Sequence, residues 1–362
     1  DIDSAERSKF LFEQRHTLTL IYQAASRPYY QYETDLSLPV LEQAVGISFI
    51  DYRLCAHFLN NSAIEKSRHG DISGALHDLE MMKIIKGHLW QYPYLINGMI
   101  GIAIDAIRVD GLEFVLANSP AVAASSFDLP VKEDKSSLEI VQKAFYMEHL
   151  LVLQMIPGVF KDGKSVECLK WYIPFEQIPF DLKYISFMRP FMDLLLLSAE
   201  INADKKITAF FAKPVKTYQE LDDNFKKASD VARDEKGLLS IASYGHGFTC
   251  SYLKHDARQG LATLALAATA YKMKNGHYPQ KPEELMPQYI EKIPTDPFDN
   301  RPLKMKAVKG GMDLYSVGFN DKCDNAASDR KKPIHFYLGK EAYFEYRTKP
   351  AIAEKKLNKG CP

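Results

Sequence analysis

The chain has 362 residues, with 46 basic and 46 acidic side chains, so its formal net charge is zero. Because nucleic-acid affinity depends mainly on neutralising phosphates, this balance argues against a general polyanion-binding protein. Apolar residues make up 46% and charged residues 25%, which is typical of water-soluble globular proteins. The length favours two domains.

The first part of the chain predicts a series of helices. Ser4 is a suitable N-cap for a helix over residues 4–25, and Ser37 opens a second amphipathic helix. Asp71 caps a third helix, which ends at Pro93. The segment "YLINGMIGIAIDAIRVDGLEFVLANSP" follows at once, and it is apolar on nearly all sides, so we expect a helix in the centre of the domain.

Further helices follow a loop at residues 119–135. Ser137 opens a long helix, and Thr217 caps an amphipathic surface helix that ends at Gly237. Between them, "WYIPFEQIPF" is rich in proline and aromatic residues. It is either an irregular packed segment or the lining of a ligand groove.

The hydrophobic pattern changes near residue 245. An alanine-rich helix over "HDARQGLATLALAATAYKMKNG" is followed by short segments that alternate with period two, which indicates strands at 302–308, 312–317 and 334–338. The sequence therefore predicts an α+β protein with an all-helical domain at 1–245, a small α+β domain at 246–345 and a tail at 346–362.

The segment "NGHYPQKPEELMPQYIEKIPTDPFDNRPL", residues 275–303, links that helix to the first strand. A long helix, N-G-x-Y-P, a short helix, P-x-D-P-[FW]-x-N, a hairpin and Y-S-x-G-x-[DN] together resemble the globular module of type II secretion major pseudopilins. The resemblance covers about residues 256–338. It extends to exported bacterial proteins that fuse this module to a helical domain. It implies a pseudopilin-like α+β domain.

Each part of this segment has a structural interpretation. Gly276 ends the long helix in the left-handed conformation, and "PEELMPQYI" predicts one short helix that packs Leu285 and Ile290 on the long one. In the turn before the first strand we expect Phe298 to be buried and Asn300 to take the turn conformation.

Location and redox state are inferred from the chain start, the resemblance and the cysteines. The chain begins at Asp1 without methionine, so we expect a removed signal peptide or anchor and a location in the periplasm or cell envelope. The sequence contains no run of about 18 apolar residues, so it predicts no membrane span. The chain has five cysteines but no CxxC sequence, which argues against a zinc site or a redox motif. We expect Cys55 to be a buried thiol in the core. One or two disulfides are open among Cys168, Cys250, Cys323 and Cys361.

The loop "SVGFNDKCDNAASDR", residues 316–330, carries the metal prediction. In the pseudopilins that the chain resembles, the loop after Y-S-x-G holds calcium through aspartates and main-chain carbonyls. The resemblance implies Asp321, Asp324 and Asp329 as calcium ligands, and calcium prefers such hard oxygen donors. The alternative is a solvated loop, or one tied by Cys323 in a disulfide. No other cofactor is expected.

Motifs for catalysis are few. The chain contains no HExxH, GxSxG, Walker A or GxGxxG sequence. His246, His255 and Asp256 form the nearest thing to a cluster, at the predicted domain junction, while His57 and His88 are interpreted as structural residues within helices.

Two functions stay open. The favoured one is a non-catalytic exported protein that binds an unidentified protein or envelope component, and the alternative is a hydrolase-type enzyme with its site at the junction. A deep pocket where the junction histidines meet a carboxylate favours the enzyme, and a shallow surface favours the binding protein.

Overall fold

The computed structural model describes residues 4–28, 49–91, 94–118, 138–147, 201–203, 205–207, 209–211, 214–234, 245–320 and 331–348. Helices predominate, and near the C-terminus one antiparallel sheet of three strands packs against them. The α+β class predicted from the sequence is confirmed. The longer helices are α1 Ser4–Glu13, α2 Arg15–Ala25, α3 Phe49–Arg68, α4 Ile72–Trp90, α5 Leu95–Asn118, α6 Tyr218–Asp234 and α7 Gly245–Asn275. After the sheet, a short α-helix at Lys340–Ala342 leads into a π-helix at Tyr343–Thr348.

Two predicted N-caps are confirmed. The carboxylate of Asp71 accepts a hydrogen bond from the Gly74 N–H at 2.9 Å at the start of α4. The hydroxyl of Thr217 accepts one from the Glu220 N–H at 3.1 Å at the start of α6. Each bond satisfies a backbone donor that the helix itself leaves unpaired.

The centre of the helical part is α5, as its apolar sequence predicts. It packs against α3 and α4 on one side and against α7 on another. Leu79, Met82 and Leu112 are almost completely buried between these helices. A second cluster of apolar side chains joins residues 138–147 and 201–211 to α6, α5 and α7.

The sheet has the order β1-β2-β3, and all neighbours are antiparallel. Leu314 on β2 lies opposite Met305 on β1 and Phe336 on β3, so the apolar side chains share one face, which packs on α7. The three predicted strands are confirmed, and the last two extend beyond the apolar pattern. The strands are β1 Lys304–Val308, β2 Gly311–Asn320 and β3 Lys331–Leu338.

One apolar core spans the predicted domain boundary. The same cluster contains Leu79 and Leu112 from the early helices and Leu261, Leu314 and Phe336 from α7 and the sheet. Residue 245 is the first residue of α7. The division into domains 1–245 and 246–345 with a tail stays a prediction.

The segment between α7 and β1 follows the expected backbone course except at its short helix. Gly276 and Asn300 have φ of +79° and +56°, as the turn interpretation requires. The single helix predicted over "PEELMPQYI" is wrong, because only Pro282–Leu285 forms a 3₁₀ helix. Met286 is already extended, since proline at the next position disfavours helical backbone. Leu285 and Ile290 are nevertheless buried, as expected.

The expected burial of Phe298 is also wrong, because Asp296 takes the interior position. Phe298 is half-buried, whereas Asp296 is completely buried. The Asp296 carboxylate accepts hydrogen bonds from the Phe298 N–H at 3.0 Å, the Ser316 hydroxyl at 3.0 Å and the Val317 N–H at 2.7 Å. Asp296 therefore ties the turn to β2.

We expect Asp296→Ala to lower the free energy of unfolding by about 3 kcal/mol, because three donors lose a charged acceptor. Asp299→Ala is the matched control in the same turn, since its carboxylate is partly exposed, and its loss is expected to stay near 1 kcal/mol. Urea unfolding of both variants checks this. Equal losses would mean that Asp296 is not the anchor of the turn.

Candidate functional site

Four charged side chains meet in the interior where α4, α5 and α7 pack together. The Asp105 carboxylate on α5 accepts hydrogen bonds from the Lys86 ammonium of α4 at 2.6 Å and from the Arg108 guanidinium at 2.7 Å. His255 Nε2 on α7 lies 2.8 Å from the same carboxylate. We call these four residues the Asp105 cluster. All are buried, and Asp105 completely so.

Neighbouring polar groups contact the Asp105 cluster. Gln259 Oε1 accepts from Arg108 at 2.8 Å. Asp256 Oδ1 lies 3.3 Å from His255 Nδ1, and its other oxygen accepts from the Tyr218 hydroxyl on α6 at 2.8 Å. Three cations facing one carboxylate leave an excess of two positive charges, and Asp256 offsets one of them. Buried ions persist only when they are paired in this way.

The protonation states follow from these contacts. Burial alone raises the pKa of Asp105, but Arg108, Lys86 and His255 overcome this effect and hold that pKa well below its usual range. Burial lowers the pKa of His255, but its hydrogen bonds to Asp105 and Asp256 outweigh burial and raise the pKa to about 9. At neutral pH His255 is therefore an imidazolium.

An imidazolium with both nitrogens bound to carboxylates has no lone pair to offer. In this protonation state His255 has no unprotonated ring nitrogen, which general-base catalysis and metal binding both need. Its role in the folded chain is that of a buried cation that joins α7 to α5. The predicted association of His255 with Asp256 is present. His246 lies in the first turn of α7, and its side chain falls outside the described residues.

Sequence reasoning missed Lys86, Asp105 and Arg108. The signal was present, because all three lie in helices whose other side chains are mostly apolar. A charge in a helix that is buried on nearly all sides must find a partner in the interior. The pattern did not reveal which partner, since the histidine that pairs with Asp105 lies 150 positions away.

A cavity of about 210 Å³ lies beside the cluster, between α5 and α7. The α5 wall is apolar and consists of Met99, Ile102, Ala103 and Ala106. The α7 wall is polar and consists of Ser251, Lys254, His255, Arg258 and Gln259. Among these described lining residues there is no carboxylate.

A second buried charge lies further along α5. Glu113 accepts a hydrogen bond from the Tyr337 N–H of β3 at 2.6 Å, and its other oxygen lies 3.3 Å from Arg347 Nε. Burial raises the pKa of Glu113 to about 7, although Arg347 and the Tyr337 N–H oppose this shift. Glu113 therefore connects α5 to the edge of the sheet.

The remaining predicted sites have different outcomes. Asp321, Asp324 and Asp329 lie outside the described residues, so the calcium site stays a prediction. The described part of the chain contains no cluster of potential metal ligands.

Cys55 is a free thiol that is half-buried rather than fully buried, and Cys250 is disulfide-bonded. Within the described ranges, no helix has both the length and the apolar character of a membrane span.

No protein-family model, curated protein or solved structure matches the chain.

We expect His255→Gln to flatten the pH dependence of stability between pH 6.5 and 9. The folded pKa of about 9 exceeds the reference value of 6.5, so the stabilisation is full below pH 6.5 and is lost as pH rises through 9. The wild-type protein should lose about 3 kcal/mol more than the variant over this range. Urea unfolding at pH 6, 7.5 and 9 measures the difference.

His57→Gln is the control, because His57 is exposed on α3. It should retain the wild-type pH profile. If His255→Gln also retains that profile, the imidazolium assignment is wrong.

Proposed function

We propose that the protein is a non-catalytic, exported binding protein of the cell envelope, and that its ligand site is the cavity between α5 and α7. The observation that supports this most is the state of His255. The histidine that lines the cavity has both nitrogens engaged by carboxylates, so it offers positive charge but no base.

The cavity has the features of a small preformed binding site. Its volume of about 210 Å³ lies below the roughly 300–1,000 Å³ of sites for drug-sized molecules, so the ligand, or the part of it that enters, is small. The Asp105 cluster fixes α5 against α7, and a wall held by charge pairs keeps its shape when empty.

The location rests on different support. The resemblance to pseudopilins over residues 256–338 is consistent with a long helix that packs on a three-stranded antiparallel sheet. A disulfide at Cys250 fits an oxidising compartment such as the periplasm. The partner is an envelope component or another protein rather than nucleic acid, given the zero net charge.

The alternative is a hydrolase-type enzyme at the same place. Ser251 and His255 favour it, because they lie one turn apart on α7 and both line the cavity. Acyl transfer would require His255 to accept a proton from the serine, and a doubly bound imidazolium does not do so. The binding proposal therefore predicts that wild-type protein and Ser251→Ala hydrolyse nitrophenyl esters at the same background rate.

Calcium binding by Asp321, Asp324 and Asp329 is a separate proposal, supported by the resemblance. Calcium at about 100 times its dissociation constant should stabilise the fold by roughly 2.7 kcal/mol. Thermal unfolding in excess calcium and in chelator tests this, with Asp321→Ala as the variant that loses the response. An identical melting temperature in both buffers for the wild type would exclude the site.

We expect Ala106→Trp to block ligand binding, because the indole ring occupies the cavity next to the α5 wall. Each protein is incubated with a small-molecule extract of bacterial envelopes and desalted. Its mass is then measured by native mass spectrometry. The matched control is Ala24→Trp, at an exposed alanine on α2. The wild type and the control should retain an added mass that Ala106→Trp lacks. An equal added mass on all three proteins, or none on the wild type, would contradict the proposal.

A further inference from the structure

The polar wall of the cavity presents donors and positive charge. His255 is an imidazolium there, and Lys254 and Arg258 add an ammonium and a guanidinium. The nitrogens of Lys254 and Arg258 donate hydrogen bonds and accept none, whereas both nitrogens of His255 are taken up by Asp105 and Asp256, so His255 contributes charge only. Asp105 and Asp256 pair with His255 behind this wall, but the charged side chains that line the cavity among the described residues are all cations, and Lys254 and Arg258 therefore favour an anion inside it.

Arg258 is the arginine of the polar wall. It is half-buried, and it makes no hydrogen bond or ion pair within the described part of the chain. The positive charge of Arg258 lowers the pKa of Glu113 slightly, but the Glu113 carboxylate is already bound by the Tyr337 N–H and by Arg347. A guanidinium offers a planar pair of N–H groups that matches the two oxygens of a carboxylate.

Gln259 adds a second donor with a defined orientation. Its Oε1 must face Arg108, because the Arg108 guanidinium has only donors to offer. The amide nitrogen therefore points away from Arg108, and this buried nitrogen has no hydrogen-bond partner among the described residues. A buried donor without an acceptor costs stability, and an acceptor on a ligand removes that cost.

The α5 wall of the cavity favours a ligand with an apolar chain. Met99, Ile102, Ala103 and Ala106 are all aliphatic, so a ligand chain that lies on them leaves water without losing hydrogen bonds. A volume of about 210 Å³ is that of about seven waters at roughly 30 Å³ each. This corresponds to a carboxylate with a short aliphatic chain.

We propose that the cavity between α5 and α7 binds a short-chain aliphatic carboxylate, whose head group is held by Arg258 and the Gln259 amide and whose chain lies on the α5 wall. This inference rests on the proposed function and names its ligand class. It involves no chemical step. The head group is recognised by donors alone, and the chain is recognised by apolar contact.

The first experiment compares three probes of equal length by calorimetric titration of the full chain: hexanoate, hexanamide and hexylammonium. Hexanoate should bind at least tenfold more tightly than hexanamide, and hexylammonium should not bind. Shortening hexanoate to butanoate should weaken binding about fourfold for each methylene removed. Binding of hexylammonium as tight as that of hexanoate, or no binding of hexanoate at millimolar concentration, would overturn the proposal.

The second experiment assigns the residues. Arg258→Gln should weaken hexanoate binding at least tenfold, and Arg258→Lys should restore part of it, because the ammonium keeps the charge but loses the planar fork. Lys274→Gln, at an exposed lysine on the same helix, removes the same charge and should leave binding unchanged. Equal weakening by Arg258→Gln and Lys274→Gln would overturn the assignment.

Two further measurements distinguish loss of ligand binding from loss of folding and from failure of the proposed function. Thermal unfolding shows whether each variant is folded, and Ala103→Trp tests the apolar wall with Arg258 intact. If Ala106→Trp abolishes binding of the envelope-derived mass but hexanoate does not bind the wild type, the binding function stands and the ligand class is wrong. If Ala106→Trp retains that mass while hexanoate binds, the proposed function fails and the carboxylate site stands.

Discussion

Asp105 is the point on which the described architecture depends. Its carboxylate holds a lysine from α4, an arginine of its own helix and a histidine from α7, all buried. The sheet packs on α7, and Glu113 and the shared apolar core also hold it against α5, so the Asp105 contact acts together with these contacts in placing the sheet. A buried group of ions contributes little net stability as a whole, but removal of one member leaves the others unpaired and is strongly destabilising. The cluster therefore specifies how the helices pack more than it adds to stability.

The same contacts determine what the neighbouring cavity is suited to do. His255 faces the cavity as a cation whose proton is held by two carboxylates, and this favours binding of an anion over base catalysis. Arg258 extends that preference with a cationic guanidinium, and Gln259 with a buried amide nitrogen that has no acceptor among the described residues. For the proposed carboxylate ligand, the aliphatic wall of α5 is the surface for the chain, because it offers no polar partners along its length.

Local signals in the sequence predicted much of the fold. Alternation around Met305 predicted β1, and the caps at Asp71 and Thr217 were recognised because each requires only one side chain and the adjacent backbone. The site was harder to predict, since Asp105 and His255 pair across 150 positions. Turn chemistry also does not determine which side chain of a short segment points inward. Asp296 rather than Phe298 is interior because three donors from the turn and β2 converge on its carboxylate.

The most direct test of this account is the protonation state of His255 in solution. Nitrogen-15 chemical shifts of the imidazole ring, assigned by comparison with His255→Gln, distinguish the imidazolium from either neutral tautomer. We predict that both ring nitrogens carry protons at pH 7.5 and that the ring titrates near pH 9, because hydrogen bonds to Asp105 and Asp256 stabilise the charged form. An unprotonated ring nitrogen at pH 7.5 would contradict it and would make His255 available as a base beside the cavity.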